Sequence, residues 1–234
     1  MRFISDGPEL PDDLLVARDE GKVIFFCGSG VSRAKADLPD FFGLAGGVLD
    51  KLRALPDSAP HQLMQIAATV QANKVTGVGS IVAADRIFGL LERDFAPADI
   101  YRAVGTVLRP SPGADLSAHR ILLDLSRTAN GKVQLVTTNF DLLFEEAAPH
   151  LPKWTPDDLP DLQRGTFDGM VHLHGMLDAK YERSVGGSLV LSSAEFGRAY
   201  LSEGSRMKCE ETSPGKASPT RTRPKFIAGG IPSI

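Results

Sequence analysis

Leu135-Val136-Thr137-Thr138-Asn139-Phe140-Asp141 joins an apolar run to a cluster of polar side chains, and an apolar-periodic segment follows it. This order predicts a buried strand that ends in polar residues and is followed directly by a helix. In open α/β sheets, ligands bind at the carboxyl ends of the strands. The stretch therefore predicts an α/β fold with a binding site beside Asn139 and Asp141.

Two further strands are predicted to end in polar or glycine-rich segments. The apolar run at residues 22–27 leads into Gly28-Ser29-Gly30-Val31-Ser32, and residues 166–174 end in His172-Leu173-His174-Gly175. Parallel strands place their carboxyl ends at one edge of a sheet, so we expect the three ends to converge on one crevice. The fold class predicted is therefore a Rossmann-like, mostly parallel sheet.

The glycine-rich turn after the first predicted strand suggests a phosphate site. Glycines let the backbone approach a ligand closely, and amides at a helix start attract phosphate. The third glycine of the dinucleotide fingerprint is missing, because Arg33 stands at that position. A phosphate-binding turn and an ordinary strand-to-helix turn therefore both remain open from these residues.

Helical periodicity without intervening strands predicts a helical insertion at about residues 43–113. A later helix at residues 116–127 is expected to turn Ile121, Leu122 and Leu125 inward. Leu189-Val190-Leu191 predicts a fourth strand, and the pattern S-x-x-E from Ser192 to Glu195 predicts a capping box at the start of the last helix.

Residues 203–234 have no apolar periodicity and are rich in proline, glycine and serine. We therefore expect a domain at residues 1–202 followed by a disordered or aberrant tail.

The composition bounds the cellular setting and the class of partner. The chain has 234 residues, 42% hydrophobic residues and a formal net charge of -3, which gives no support for a nucleic-acid binder. Neither a signal peptide nor an apolar run of membrane-spanning length is recognised in the sequence, so we expect a soluble, cytoplasmic protein. The two cysteines, Cys27 and Cys209, are too few for a four-thiolate zinc site, and no metal site is expected.

Four segments, taken in order, resemble the sirtuin-like (SIR2) domain family. Gly28-Ser29-Gly30-Val31-Ser32 resembles its phosphate turn, and Leu38-Pro39-Asp40-Phe41 is similar to its cofactor loop. Thr137-Thr138-Asn139-Phe140-Asp141 and His172-Leu173-His174-Gly175 resemble its catalytic asparagine and histidine segments. The sequences of the last two segments, the helical insertion and the absence of zinc cysteines resemble the bacterial antiphage-defence branch. SIR2 domains normally continue into further strands after the fourth, and residues 203–234 do not resemble these, so the resemblance implies that the C-terminal part of the domain is truncated.

The resemblance implies an enzyme that hydrolyses NAD to nicotinamide and ADP-ribose and thereby depletes the cofactor during infection. NAD would be the substrate, and a homo-oligomer or a defence-system partner protein is expected. The alternatives are an NAD-dependent protein deacylase and a catalytically inactive nucleotide-binding or assembly module. The absent zinc cysteines argue against the deacylase.

The resemblance also assigns site residues. Asn139 and His174 are the expected catalytic residues, with Asn139 orienting ribose hydroxyls or a water and His174 acting as general base. The expected NAD-binding residues are Gly28, Ser29, Gly30, Val31, Ser32, Asp40, Phe41, Thr138 and Asp141.

Structural roles remain open beside these functional ones. Asn139 or Asp141 can simply cap the following helix, and His174 can be a structural histidine. Ser29 and Ser32 fit turn and cap positions better than nucleophiles. His172, two residues from His174, is expected on the same face of the strand, in a core or supporting role. An H-x-H metal pair would need a third ligand, and none is recognisable.

Overall fold

The computed structural model describes residues 9, 11–72, 84–160, 167–201 and 225–228. Seven strands occur in these residues: β1 (Val23–Cys27), β2 (Gln134–Thr137), β3 (Lys153–Trp154), β4 (Gly169–His172), β5 (Met176–Leu177), β6 (Ser184–Val185) and β7 (Lys225–Ala228). Five of them form a parallel sheet in the order β3-β4-β2-β1-β7, and β5 and β6 form a separate antiparallel hairpin.

Helices connect and cover these strands. Those in the described residues are α1 (Asp12–Asp19), α2 (Gly30–Ala36), α3 (Phe41–Leu52), α4 (Ala59–Ala72), α5 (Ala84–Asp94), α6 (Pro97–Leu108), α7 (Ser117–Leu125), α8 (Leu143–Ala147) and α9 (Ser193–Tyr200). The predicted α/β class and parallel sheet are confirmed, and the arrangement is consistent with a Rossmann-like fold.

The strand register brings the polar strand ends together. Cys27 of β1 lies opposite Thr137 of β2, and Thr137 lies opposite His172 of β4. The pairing continues one residue past the strands, because the Thr138 amide donates to the Cys27 carbonyl at 3.1 Å. The three segments that follow β1, β2 and β4 therefore leave the sheet at the same edge.

Alternating side chains of the strands form two apolar layers, as the twofold period of a strand requires. On one face Leu135 and Met170 pack with Leu123 of α7 and Phe144 of α8. On the other face the buried cluster consists of Ile24, Val136, Phe167 and Val171, with Trp154 packed against it.

A larger core lies beyond the carboxyl edge of the sheet. It is built mainly from α3, α5 and α6, and includes Ile87, Phe88 and Val104, each 0% exposed. Residues that follow the strands, including Phe140, Leu177 and Leu189, belong to the same core. Helices α3, α5 and α6 of the predicted helical segment at residues 43–113 are therefore seated on the edge of the sheet where the polar segments emerge. Residues 73–83 of that segment lie outside the described residues.

The predicted fourth strand is wrong. Leu189, Val190 and Leu191 are buried, but they form no strand with the sheet. Their one backbone link to the neighbouring segment is the bond from the Val190 amide to the His174 carbonyl, at 2.9 Å. A short apolar run reads as a strand whenever it is buried, and here the helical core buries it instead.

The third predicted strand is shorter than expected, and its two histidines do not share a strand face. β4 ends at His172, and a turn at Leu173 and His174 follows, closed by a bond from the Gly175 amide to the His172 carbonyl. Residues 161–166 lie outside the described residues.

The predicted inward face of α7 is partly wrong: Leu122 is half-buried against the apolar layer that α7 covers, but the other two predicted residues are exposed. Ile121 and Leu125 are 58% and 43% exposed, whereas His119 and Leu123 are 0% and 3% exposed. Apolar residues occur on two sides of this helix, so periodicity alone does not choose between the sides. Packing against α2 and α8 selects the side that carries His119.

The expected disordered tail contains one described segment. Lys225–Ala228 forms β7, which pairs in parallel with β1 so that Val23 lies opposite Lys225 and Phe26 opposite Ala228. The structure differs from the expectation in these four residues. The other residues of 203–234 lie outside the described residues.

Among the residues described, no helix is both long and apolar enough to cross a membrane.

Candidate functional site

A cavity of about 350 Å³ opens where the three polar segments meet the helical core. A volume of this size is typical of small-molecule sites. Its lining includes eight of the eleven predicted site residues: Ser29, Ser32, Asp40, Phe41, Thr138, Asn139, Asp141 and His174. Segments that are far apart in the sequence thus contribute to one cavity, as predicted from the common direction of the parallel strands.

The other three predicted residues do not line the cavity. Val31 packs against the core cluster under the sheet. A Cβ added to Gly28 would lie 3.6 Å from Thr138 Oγ1, and one added to Gly30 would meet no atom within 4 Å. Gly28 therefore lies next to Thr138 of the cavity wall, and Gly30 begins α2 without contributing to the wall.

Ser32 is the centre of a buried hydrogen-bond network beneath the cavity. Its hydroxyl donates to Asp141 Oδ2 at 2.9 Å and accepts from Asn139 Nδ2 at 3.1 Å. His119 Nε2 lies 3.2 Å from the same oxygen. A hydroxyl has one donor and two acceptor positions, so these three partners use all of them, with His119 donating.

This arrangement fixes the orientation of the Asn139 side-chain amide. Because the Ser32 proton goes to the carboxylate, Ser32 can only accept from Asn139, which turns the NH₂ group towards Ser32. The other end, Oδ1, is buried and has no hydrogen-bond partner among the described residues. An unpaired buried acceptor costs about 1–3 kcal/mol, so a ligand donor that reached it would remove a penalty that the fold carries.

The backbone of Asn139 is held as well. Its amide donates to Thr137 Oγ1 at 3.0 Å, and its carbonyl oxygen lies 3.2 Å from His172 Nδ1. With the side-chain bond to Ser32, three contacts fix this 5%-exposed residue.

Asp141 lines the cavity and also binds the backbone where α8 begins. Its Oδ1 accepts from the Leu143 amide at 3.2 Å at the start of α8, and its Oδ2 accepts from Ser32. Burial outweighs these bonds and raises the pKa of Asp141 to about 6. The carboxylate is therefore mostly ionised near neutral pH.

His174 presents a neutral imidazole to the cavity. Its backbone carbonyl accepts from Val190, and its ring lies 6.3 Å from the ring of Phe140, centre to centre. Burial lowers the pKa of His174 below its ordinary value, so the ring is unprotonated near neutral pH. A neutral imidazole can accept a proton, which is the property that a general base requires.

His172 lies below the cavity rather than in its wall. Its Nε2 is 2.7 Å from Glu145 Oε1, and the exposed fractions of the two side chains are 0% and 10%. Although burial alone lowers the pKa of His172, the hydrogen bond and the charge of Glu145 together raise it above its ordinary value. The role of Glu145 was not predicted from the sequence, because a glutamate in a short helix usually faces solvent.

Asp40 and Phe41, expected to shape the nicotinamide pocket, also have structural roles. Asp40 caps α3 by accepting from the Gly43 amide at 2.8 Å, and its other oxygen bonds Arg33 at 3.0 Å. Phe41 stacks on Phe88 of the helical core with ring centres 5.4 Å apart. Both residues line the cavity as well, so they join the core to the site.

The rest of the wall was not anticipated from the sequence. It comes from α3, α5, α6 and α9 and from the segments before α3, after β2 and before α9. Its residues are Pro39, Leu44, Asp85, Leu108, Phe140, Val190, Leu191, Ser192, Ser193 and Phe196. Ser192 caps α9 as predicted, since its Oγ accepts from the Glu195 amide at 3.2 Å, but the Glu195 side chain accepts from the Leu191 amide at 2.8 Å instead of completing the capping box. That motif marks a helix start, but its place beside the cavity depends on tertiary packing.

The cavity wall is acidic and partly aromatic. Its described lining contains the three aspartates Asp40, Asp85 and Asp141 and no lysine or arginine. Among the described residues, no group of three or more histidine, cysteine or carboxylate side chains is arranged to hold a metal ion.

No model of a known protein family matches the chain. It is similar to a protein of Sinorhizobium fredii (strain NBRC 101917 / NGR234) named "Uncharacterized protein y4cA", with 30% identity over 213 residues. The match covers 87% of this chain and 16% of the relative, so the chain spans about one sixth of the relative's length.

Proposed function

We propose that this chain is a sirtuin-like NAD hydrolase that cleaves the nicotinamide–ribose bond to give nicotinamide and ADP-ribose. The observation that supports this proposal best is that Asn139 and a neutral His174 line the same cavity. The Oδ1 of Asn139 is buried without a partner among the described residues, so it has an unused position for a hydrogen bond from a water or a ribose hydroxyl.

The proposed reaction uses these groups in one displacement. The bond between ribose C1′ and the nicotinamide nitrogen breaks, and its electron pair neutralises the positive ring nitrogen. A water oxygen, held by Asn139 Oδ1, bonds to C1′ and loses a proton to His174. The products are nicotinamide, ADP-ribose and one proton, which His174 releases to solvent.

The charge of the wall favours this chemistry. Positive charge builds on the sugar as the bond breaks, as in glycoside hydrolysis. Asp85 and Asp141 of the wall stabilise such a charge, whereas Asp40 is paired with Arg33. The first turn of α2 begins next to Ser29, and its positive end suits the diphosphate of NAD.

The test is NAD consumption by the purified full-length chain. We expect Asn139→Ala and His174→Ala each to lower kcat by at least about 100-fold, the usual cost of losing a general base or a polar group at the reacting centre. Asn130→Ala and His150→Ala are matched controls, because both residues are exposed and neither lines the cavity. The rate should decline in acid as His174 becomes protonated. Because burial lowers the pKa of His174, the midpoint of this decline should lie below the ordinary histidine pKa of about 6.5.

Equal turnover by the wild type and both cavity variants would contradict the assignment. An inactive module would instead gain thermal stability from NAD without consuming it. A deacylase would release nicotinamide only when an acyl-lysine peptide is added.

The proposed biological role is antiphage defence through NAD depletion, and this role has its own test. Bacteria that carry the wild-type gene should lose NAD after phage addition, whereas bacteria that carry Asn139→Ala should not. Hydrolysis in vitro without any loss during infection would retain the enzyme and reject the defence role.

A further inference from the structure

His172 and Glu145 form a buried pair directly beneath Asn139. His172 Nε2 lies 2.7 Å from Glu145 Oε1, and His172 Nδ1 lies 3.2 Å from the Asn139 carbonyl oxygen. The ring is 0% exposed, so water cannot replace either partner. Neither residue lines the cavity, but His172 contacts the backbone of Asn139, which does.

The two acceptors determine where the hydrogens of His172 lie. A carbonyl oxygen only accepts, so the contact with Asn139 requires a hydrogen on Nδ1. A neutral ring beside an ionised Glu145 would carry its hydrogen on Nε2 instead and would turn a lone pair towards the Asn139 carbonyl. Both contacts are satisfied together when the ring carries two hydrogens and donates to both partners.

We infer that Glu145 and His172 are a positioning pair, in which Glu145 keeps a hydrogen on Nδ1 of His172 so that His172 holds Asn139 by its backbone carbonyl. Ser32 holds the same residue by its side chain, and the two contacts together fix the position of Oδ1 in a residue that lines the cavity.

The surrounding charges agree with this arrangement. Glu145 is in contact with the ring, and Asp141 of the loop before α8 is close enough to add to its effect. Both carboxylates favour a protonated His172, and together with the Asn139 carbonyl they outweigh burial and raise its pKa.

The kinetic test rests on the proposed hydrolase function and compares two substitutions of His172. A misplacement on the scale of 1 Å costs about 100-fold in rate, so we expect His172→Leu to lower kcat by about that factor with little change in KM. An asparagine amide can reach the position of Nδ1, so His172→Asn should regain at least about tenfold of that loss. Rates are compared per folded molecule, with folding checked by circular dichroism.

Glu145 provides the complementary comparison. In Glu145→Gln the amide can donate to Nε2, which leaves the hydrogen of a neutral ring on Nδ1, so most of the rate should be kept. In Glu145→Leu no side-chain group bonds Nε2, so the ring hydrogen is no longer kept on Nδ1 and kcat should fall. Equal kcat in His172→Leu and His172→Asn, or a loss confined to KM, would overturn the inference.

A second measurement does not depend on turnover. In protein labelled with ¹⁵N-histidine, the His172 signals are assigned by their absence from His172→Asn. We expect Nδ1 of His172 to carry a hydrogen near neutral pH in the wild type and in Glu145→Gln, and an unprotonated Nδ1 in the wild type would overturn the inference. A protonated Nδ1 in a protein that never consumes NAD would reject the hydrolase and leave the pair in place.

Discussion

His119 shows how one buried ring supports the residues under the cavity. Its Nε2 donates to Ser32, its ring packs edge-on against Phe144 at 4.7 Å, and its Nδ1 has no partner among the described residues. Protonation would place a charged N–H where no acceptor lies. Burial accordingly lowers the pKa of His119 to about 4.

This depressed pKa predicts acid sensitivity. Below about pH 6.5 the unfolded chain binds a proton at His119 that the folded chain refuses until about pH 4, so the stability present above pH 6.5 is lost as the pH falls. The loss should approach about 3 kcal/mol in the free energy of unfolding. His119→Gln can keep a donor to Ser32 without titrating and should flatten this dependence in denaturant titrations.

Asp141 acts in the opposite direction, because burial raises its pKa to about 6 and its protonation favours the fold. The difference between the wild type and His119→Gln isolates the histidine. Parallel pH profiles for the two proteins would contradict this account.

At the scale of elements, the β5–β6 hairpin ties the helical core to the loop that carries Asn139. The Leu177 amide donates to the Phe140 carbonyl at 3.1 Å, and the Leu142 amide donates to the Tyr181 hydroxyl at 3.1 Å. On its other side the hairpin rests on Gly105 of α6, where an added Cβ would lie 1.9 Å from the Tyr181 carbonyl oxygen.

Gly105→Ala should therefore destabilise the protein by at least about 1–3 kcal/mol, since the clash is with backbone and Tyr181 is already at φ +57. Gly89→Ala is the matched control, because its Cβ would have no neighbour closer than 3.9 Å in α5. That control should gain up to about 1 kcal/mol from helix propensity. Thermal unfolding of both variants measures the contrast, and similar melting temperatures would rule out the close contact.

The same scale shows why some elements were predictable and others were not. Thr137, Thr138 and Asn139 mark the end of β2 by local pattern, and they lie at the predicted edge of the sheet. Leu189–Leu191 carries an equally apolar pattern and is no strand, because the burial that the pattern reports comes from helices. The hairpin has strands of two residues, too short to give a period.

For the whole molecule, one core spans the helical segment and the residues that follow the strands. We therefore expect a single cooperative unfolding transition. Trp154 is the only tryptophan and packs in the sheet cluster, whereas circular dichroism is dominated by the helices. Denaturation curves from the two signals should coincide, and separated midpoints would show that the helical segment unfolds as an independent unit.

The sequence by itself determined the parallel α/β class and the polar segments at the strand ends, because both follow from local periodicity and from the direction of parallel strands. It did not determine which atoms meet at those ends. Ser32 lies 107 residues before Asn139 and 87 before His119, and Glu145 lies 27 before His172. Only the packing of these distant elements brings the hydrogen-bonding groups together and leaves Oδ1 of Asn139 without a partner at the cavity.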